Sequence, residues 1–263
     1  MNHIPIGVAN SISLNFDFDP IDTIQFATQS RFEIIQIYLS RALLDQPRKL
    51  SSILANETLF KKVYYHAEGL LNEEFIESEY QSKLFDFLQK VNQPNFIIHF
   101  DERMDIDRLV NTLEGKLSSV EVTIYLENYF QERGKTAAEK NLKKFLALFT
   151  LLNLSQIHLR PVFDIPRIFH QTLDFTISEG VQWCYQIFNY FGNRQLPVLL
   201  HLIDTASREQ RRRDFIALGQ GVIPYNKILP FILKTRPKIE GIILEFEDKL
   251  NALQSRDYLA AAF

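Results

Sequence analysis

Eight short apolar runs recur along this chain of 263 residues, separated by longer amphipathic segments. The runs are rich in β-branched and aromatic residues, as is typical of parallel strands that are covered on both faces. They are Ile4–Val8, Phe32–Leu39, Lys62–Ala67, Asn95–Phe100, Val120–Glu127, Gln156–Asp164, Pro197–Leu202 and Ile239–Glu245. Helical patterns between them include Asn72–Lys90, Thr136–Leu152, Tyr225–Thr235 and Asp248–Ala262. This alternation without hairpin signals predicts a closed (β/α)8 barrel, the TIM-barrel fold of the α/β class.

A doubly wound open sheet is the structural alternative, since it also alternates strands and helices. No Gly-x-Gly-x-x-Gly motif follows the first run, so the dinucleotide-binding version of that fold is disfavoured. No low-complexity segment or Pro/Ser-rich linker divides the sequence. We therefore expect residues 1–263 to form a single domain of the usual barrel length.

Composition narrows the class of protein further. Hydrophobic residues make up 46% and charged residues 23% of the chain, which predicts a globular protein with a large core. The net charge of −3 neither favours nor excludes a nucleic-acid partner. The N-terminus is a poor signal peptide and no apolar stretch is long enough to span a membrane, so we expect a cytoplasmic protein without a membrane partner. The single cysteine, Cys184, fits a reducing compartment and is interpreted as a buried helix residue.

Six of the eight runs carry a polar residue of a metal-ligating type near their C-terminal end. These residues are His66, His99, Glu127, Asp164, His201 and Glu245, and successive members are 28 to 44 residues apart, about one strand–helix unit. In a parallel barrel the C-terminal strand ends meet at one rim, where active sites assemble. Three histidines and three carboxylates meeting there predict a site for one or two divalent ions, Zn²⁺ or Mn²⁺.

Each residue also has an ordinary structural interpretation. A lone histidine at a strand end is usually a hydrogen-bonded structural residue, and Glu127 alone would fit a helix cap or a surface ion pair. Glu245 is harder to explain in this way, because it ends the buried run Ile-Ile-Leu-Glu-Phe-Glu, where an unpaired carboxylate is costly. Three buried carboxylates without a cation would also raise one another's pKa. The joint pattern therefore favours the metal interpretation.

The chain resembles the xylose-isomerase-like TIM-barrel superfamily, which includes sugar isomerases and epimerases and the endonuclease IV type of apurinic/apyrimidinic endonuclease. The resemblance covers nearly the whole sequence. Its most specific parts are Tyr65-His66-Ala67, Leu126-Glu127-Asn128, Asp164-Ile165-Pro166-Arg167, His201-Leu202-Ile203-Asp204 and Leu218-Gly219-Gln220-Gly221-Val222-Ile223. The resemblance implies a four-ligand metal site that is formed by Glu127, Asp164, His201 and Glu245.

The endonuclease branch implies further ligands. His66 and His99 match residues that hold a second metal together with Glu127, and Asp214 matches a ligand of a third. The family's histidine three positions after Asp164 is Arg167 here, and a second histidine of that third site is Ile216. Because arginine stays protonated and has no free lone pair, we expect no trinuclear site.

Three residues near this rim have less defined roles. Arg167 is interpreted either as a fixed positive charge for a substrate phosphate or carboxylate, or as an ion-pair partner of Asp214. Asp204 matches a family position that supports the pocket, and a helix cap is equally compatible with the sequence. We group Arg167, Asp204 and Asp214 as predicted substrate-binding residues.

The favoured function is a metal-dependent sugar or sugar-phosphate isomerase or epimerase, in which Glu127 and Glu245 exchange a proton with carbon. The first alternative is an endonuclease IV-like phosphoester hydrolase with two ions, to which a nucleic acid would bind through Arg208, Arg211, Arg212 and Arg213. That arginine run is also compatible with a solvated loop. The second alternative is a metal-binding barrel without catalytic activity.

Overall fold

A computed structural model describes residues 3–105, 107, 111, 122–151 and 158–262. Eight parallel strands close into a barrel, which confirms the predicted TIM-barrel fold. The barrel strands are β1 (Ile6–Ala9), β2 (Ile34–Leu39), β3 (Lys62–Leu71), β4 (Asn95–Phe100), β5 (Thr123–Glu127), β6 (His158–Asp164), β7 (Val198–Leu202) and β10 (Ile239–Leu244). The first residues of two predicted strands, 120–121 and 156–157, and the last residue of one predicted helix, 152, lie outside the described residues.

Helices lie between the barrel strands. They are α1 (Pro20–Gln29), α2 (Arg41–Leu44), α3 (Pro47–Asn56), α4 (Glu73–Ile76), α5 (Glu79–Leu88), α6 (Lys135–Leu151), α7 (Ile165–Ile168), α8 (Ile177–Asn193), α9 (Tyr225–Thr235) and α10 (Lys249–Ala262). The predicted helix Asn72–Lys90 is divided in two, because the Ser78 side chain accepts a hydrogen bond from the Gln81 backbone amide and begins a new helix. Cys184 is fully buried in α8. None of the described helices is both long and apolar enough to cross a membrane.

The barrel interior is built in layers, because alternate residues of each strand point inward. A buried apolar and aromatic layer fills its middle: Ala9, Ile34, Tyr64, Ile97, Tyr125, Val162, Leu199 and Ile243. Two positions further along most of these strands come the next inward-pointing residues, which are polar. They are Gln36, His66, His99, Glu127, Asp164, His201 and Glu245.

Strand register aligns this polar layer. His99 on β4 is paired with Glu127 on β5, and Asp164 on β6 is paired with His201 on β7. The short strands β8 (Asp204–Thr205) and β9 (Phe215–Ile216) form an antiparallel pair after β7. The sequence thus folds so that six dispersed ligand-type residues share one end of the barrel.

Candidate metal centre

A cavity of about 560 Å³ opens at the C-terminal end of the barrel, within the range of small-molecule sites. Six of the predicted site residues line it: His66, His99, Glu127, Asp164, Arg167 and Glu245. His201 is fully buried and in contact with two of them, Glu127 and Glu245. The other two predicted residues, Asp204 and Asp214, are not among the cavity-lining residues.

Glu127 lies at the centre of the cluster and is fully buried. Its oxygen Oε2 is 3.1 Å from Nε2 of His66 and 3.2 Å from Nδ1 of His201. Its other oxygen, Oε1, is 3.2 Å from Nε of Arg167 and 3.5 Å from Nε2 of His99. The carboxylate therefore contacts a different pair of nitrogen-bearing side chains through each oxygen.

His201 joins Glu127 to Glu245. Its Nδ1 atom is also 3.3 Å from Oε1 of Glu245, yet neither ring nitrogen makes a well-aligned hydrogen bond to a described residue. Ligand atoms about 2.0–2.2 Å from one ion at tetrahedral angles are roughly 3.4 Å apart, close to both of these distances. A buried imidazole nitrogen between two carboxylates, without an aligned hydrogen bond to either, fits a divalent cation at this point.

His66 and His99 have the outer contacts that are typical of metal-binding histidines. Nδ1 of His66 is 2.8 Å from the carbonyl oxygen of Ala67, and Nδ1 of His99 is 3.3 Å from that of Gly69. Both rings therefore turn Nε2 towards Glu127. One ligand atom from each of His66, His99 and Glu127 lies within 4.8 Å of the other two. By spacing alone, this trio is a second possible cation position.

Arg167 occupies the space beside that trio. Its Nε atom is 2.5 Å from Oδ2 of Asp164, its Nη2 atom is 3.2 Å from Nε2 of His99, and its guanidinium lies 4.6 Å from the centre of the Tyr129 ring. Arg167 was predicted to contact either a substrate anion or Asp214. Among the described contacts it does not pair with Asp214. Asp214 instead accepts a hydrogen bond from the Ser207 hydroxyl at 2.8 Å. Arg167 lies on the helical turn α7, three residues after Asp164, so its side chain can contact the Asp164 carboxylate.

The site shifts the pKa values of its groups in opposite directions. Burial would raise the pKa of Glu127, but the rings of His99 and His201 and the Arg167 guanidinium hold it well below its usual range. Burial would lower the pKa of His201, but the carboxylates of Glu245 and Glu127 raise it to about 10. Burial raises the pKa of Asp164 to about 7 despite its contact with Arg167. The site thus favours positive charge at His201.

The formal charges of the site also favour a bound cation. Glu127, Asp164 and Glu245 carry three negative charges when ionised, and Arg167 balances one of them. A divalent cation would neutralise the other two when His201 is neutral, as a metal ligand must be; in the metal-free site the proton on His201 and the raised pKa of Asp164 offset them. The donor set and its charge therefore fit a divalent ion.

Asp204 supports the rim from outside the cavity. Its buried carboxylate accepts backbone hydrogen bonds from Gly219 and Gly221 at 2.9 Å and from Ile223 at 3.3 Å. Gly219 has a φ of +82°, and a Cβ atom on Gly221 would lie 2.2 Å from Oδ1 of Asp204. Asp204 thus organises the Leu218–Ile223 turn, and its role in substrate binding stays a prediction.

Gln36 is a buried cavity residue that was not among those predicted from the sequence. It is 3% exposed, lines the cavity from β2, and donates a hydrogen bond through Nε2 to Oε1 of Glu245 at 2.7 Å. It is also the only uncharged polar residue inside the predicted strand Phe32–Leu39 before Tyr38. The same search for polar interruptions would have found it, had amides been included with histidines and carboxylates.

Comparison with known proteins gives a result for the fold alone. No protein-family model matches the chain, and no curated protein sequence matches it. Among solved structures, a xylose isomerase domain protein from Planctomyces limnophilus superposes with a TM-score of 0.63 at 14% identity, over 99% of this chain and 96% of that one. The chain has the xylose-isomerase-like TIM-barrel fold.

Two further structures of this xylose-isomerase-like fold match along almost their whole length. An IOLI protein with a binding zinc atom has a TM-score of 0.67 at 12% identity, over 98% of each chain. A sugar phosphate isomerase/epimerase from Parabacteroides distasonis ATCC 8503 has a TM-score of 0.62 at 13% identity, over 100% of this chain and 95% of the other. At these identities the likeness extends to the barrel and not to its chemistry.

Proposed function

We propose that this chain is a divalent-metal-dependent sugar or sugar-phosphate isomerase or epimerase that moves a proton at carbon. The observation that carries the proposal is the position of His201, whose buried Nδ1 lies 3.2 Å from Glu127 and 3.3 Å from Glu245, two carboxylates that line the cavity. This arrangement places a possible cation site between two carboxylates at the cavity wall. Glu245 is the more accessible of the two, with 26% of its side chain exposed.

The residues proposed to hold the ion are Glu127, Asp164, His201 and Glu245. When bound, Zn²⁺ or Mn²⁺ would polarise the carbonyl of a sugar and so acidify the neighbouring C–H bond. His66 would orient a substrate hydroxyl, since its Nδ1 contact with Ala67 fixes the direction of its ring.

The sequence predicts that two glutamates, Glu127 and Glu245, take part in the proton transfer. Their strands, β5 and β10, are three places apart in the ring of eight, so the carboxylates approach the cavity from different sides. Burial would raise the pKa of Glu245, but His201 lowers it, which keeps the carboxylate ionised as a base for the C–H proton. The proton then held by Glu245 would return to the neighbouring carbon, because Glu127, whose pKa is held well below its usual range, carries no proton to donate.

The rest of the cavity suits a polyol. Phe18 and Phe215 give it apolar walls against which the C–H faces of a sugar can pack, and Ser11 and Gln36 supply polar groups for hydroxyls. Two proteins of the same fold, the xylose isomerase domain protein and the sugar phosphate isomerase/epimerase, support the same substrate class.

The test is proton exchange at carbon. Purified protein loaded with Mn²⁺ or Zn²⁺ would be incubated in D₂O with a panel of aldoses and ketoses, each with and without a phosphate group. We expect deuterium at the carbon beside the carbonyl, and loss of this exchange in Glu245→Gln with the circular dichroism spectrum unchanged. Glu209→Gln, on the loop after β8, is the matched control and should retain exchange.

Two results would contradict the proposal. An unchanged exchange rate in Glu245→Gln would remove Glu245 from the mechanism. Cleavage of a chromogenic phosphodiester, with no exchange on any sugar, would favour the hydrolase alternative.

A further inference from the structure

The two oxygens of Glu127 have different neighbours, and this difference bears on how many ions the site can hold. Oε2 is near His66 and His201, which are on the side of Glu245. Oε1 is near Arg167 and His99. A carboxylate that bridges two ions presents one oxygen to each. In this chain the second oxygen already contacts a guanidinium.

Arg167 also engages the other ligand that a second ion would need. Because Nδ1 of His99 is directed at the carbonyl of Gly69, the lone pair of its ring is on Nε2. That atom is 3.2 Å from Nη2 of Arg167, which donates to it.

The guanidinium is fixed in this position from three sides. Nε is 2.5 Å from Asp164, both Nε and Nη2 are 3.2 Å from Glu127, and the Tyr129 ring lies 4.6 Å away. A cation coordinated by both Oε1 of Glu127 and Nε2 of His99 would be adjacent to this positive group. It would be repelled by the guanidinium and would have to break its hydrogen bonds.

We infer that the site takes a single divalent ion, on the side of His201 and Glu245, and that Arg167 replaces a second ion with a permanent charge of the protein. This inference rests on the metal site of the proposed function and adds its stoichiometry. His66, His99 and Glu127 are spaced closely enough to bind a cation. We expect no ion there, because the Arg167 guanidinium already contacts His99 and Glu127. Arg167 is thus the residue at which this site differs from that of the endonuclease branch.

The experiment counts ions without using activity. Chelator-stripped full-length protein would be titrated with Mn²⁺ by isothermal titration calorimetry, with electron paramagnetic resonance as a second readout of coupled ion pairs. We expect one ion per chain in the unmodified protein and in Arg212→Ala, whose arginine lines the same cavity but contacts Glu247. We expect two ions and a coupled spectrum in Arg167→Ala, and one ion again in the double variant Arg167→Ala, His99→Ala.

Two further variants keep the test decisive if Arg167→Ala does not fold. Arg167→Lys retains the charge and should bind one ion. His99→Ala should also bind one ion, with an affinity within about threefold of the unmodified protein, because His99 is not a ligand in a one-ion site.

The outcomes separate the inference from the proposed function. Two ions in the unmodified protein, or a tenfold loss of affinity in His99→Ala, would overturn the one-ion inference. Only one ion in a folded Arg167→Ala would overturn the role assigned to Arg167. Each of these results leaves the isomerase proposal standing. Binding of no ion by the unmodified protein, with Mn²⁺ or Zn²⁺, would refute the metal site itself.

Discussion

The side-chain amide of Gln36 donates a hydrogen bond of 2.7 Å to Oε1 of Glu245, the same oxygen that lies 3.3 Å from Nδ1 of His201. Gln36 is almost fully buried, so this hydrogen bond is shielded from water. It stabilises the ionised form of Glu245 and fixes which oxygen is near the cation position. Gln36 is therefore a positioning residue for the proposed base.

Replacing Gln36 with leucine should impair proton transfer without removing the base. A hydrogen bond to a charged group contributes about 1.5–3 kcal/mol, so we expect kcat for sugar isomerisation to fall by roughly 10- to 100-fold. The pKa of Glu245 should rise, and the acidic limb of the kcat profile should move to higher pH. A lower kcat with an unmoved pH profile would mean that Gln36 is only structural. Gln36→Glu should move the limb further, because a second carboxylate disfavours ionisation.

The polar layer of the barrel was largely predictable from the sequence. Strands with a period of two place every second residue inward, so the ligand-type residues could be aligned by counting from the strand ends. Gln36 obeys the same rule and was missed because only histidines and carboxylates were considered.

The partner of Arg167 was not predictable in this way. The sequence alone allows Arg167 to pair with either Asp164 or Asp214, and its side-chain conformation decides which carboxylate it contacts. Burial decides it: Asp164 is 5% exposed and would be costly unpaired, whereas Asp214 can use the Ser207 hydroxyl. The division of the predicted helix Asn72–Lys90 was not predictable either. Its apolar residues follow one continuous helical period, which gives no sign that Ser78 begins a new helix.

Metal affinity should depend on pH through His201. Its pKa is raised to about 10, so below that pH the ring of the metal-free protein carries a proton that must leave when the ion binds. Affinity should therefore increase as pH increases, by about tenfold for each pH unit in the mildly alkaline range. Below about pH 7 the dependence should steepen, because Asp164, with a pKa of about 7, must also lose a proton.

Calorimetry with Mn²⁺ in buffers of different ionisation enthalpy measures this proton release directly. About one proton per ion is expected in mildly alkaline buffer, and more in mildly acidic buffer. His201→Gln, which has no proton to lose, should bind more weakly and release fewer protons. Binding that releases no proton at any pH would exclude His201 as a ligand.

Removing Arg167 should destabilise the metal-free protein. Glu127 is fully buried and Asp164 nearly so, and Arg167→Met would leave both without their guanidinium partner. Breaking a buried pair in this way costs about 3–5 kcal/mol in the free energy of unfolding. A divalent ion should restore part of this loss, since it supplies the missing charge.

Urea unfolding with chelator and with saturating Mn²⁺ measures both effects. The increase in stability on adding Mn²⁺ should be larger for Arg167→Met than for the unmodified protein. Arg212→Met, whose side chain is 70% exposed, should change unfolding little. Equal stability of Arg167→Met and the unmodified protein in chelator would show that other groups balance Glu127 and Asp164.

The turn bound by Asp204 should control stability and not substrate affinity. Asp204→Ala would leave the backbone amides of Gly219, Gly221 and Ile223 without their acceptor, and each unsatisfied buried amide costs about 1–3 kcal/mol. Gly221→Ala should be comparably harmful, because its Cβ atom would lie 2.2 Å from Oδ1 of Asp204 and 2.4 Å from the carbonyl oxygen of Thr205. Asp204→Asn keeps one acceptor oxygen and should lose less stability.

Thermal unfolding measures this order. We expect the melting temperature of Asp204→Asn to fall between those of the unmodified protein and the two more destabilised variants, with KM for any sugar substrate unchanged below the melting temperature. An increase in KM at unchanged stability would instead return Asp204 to the substrate-binding role.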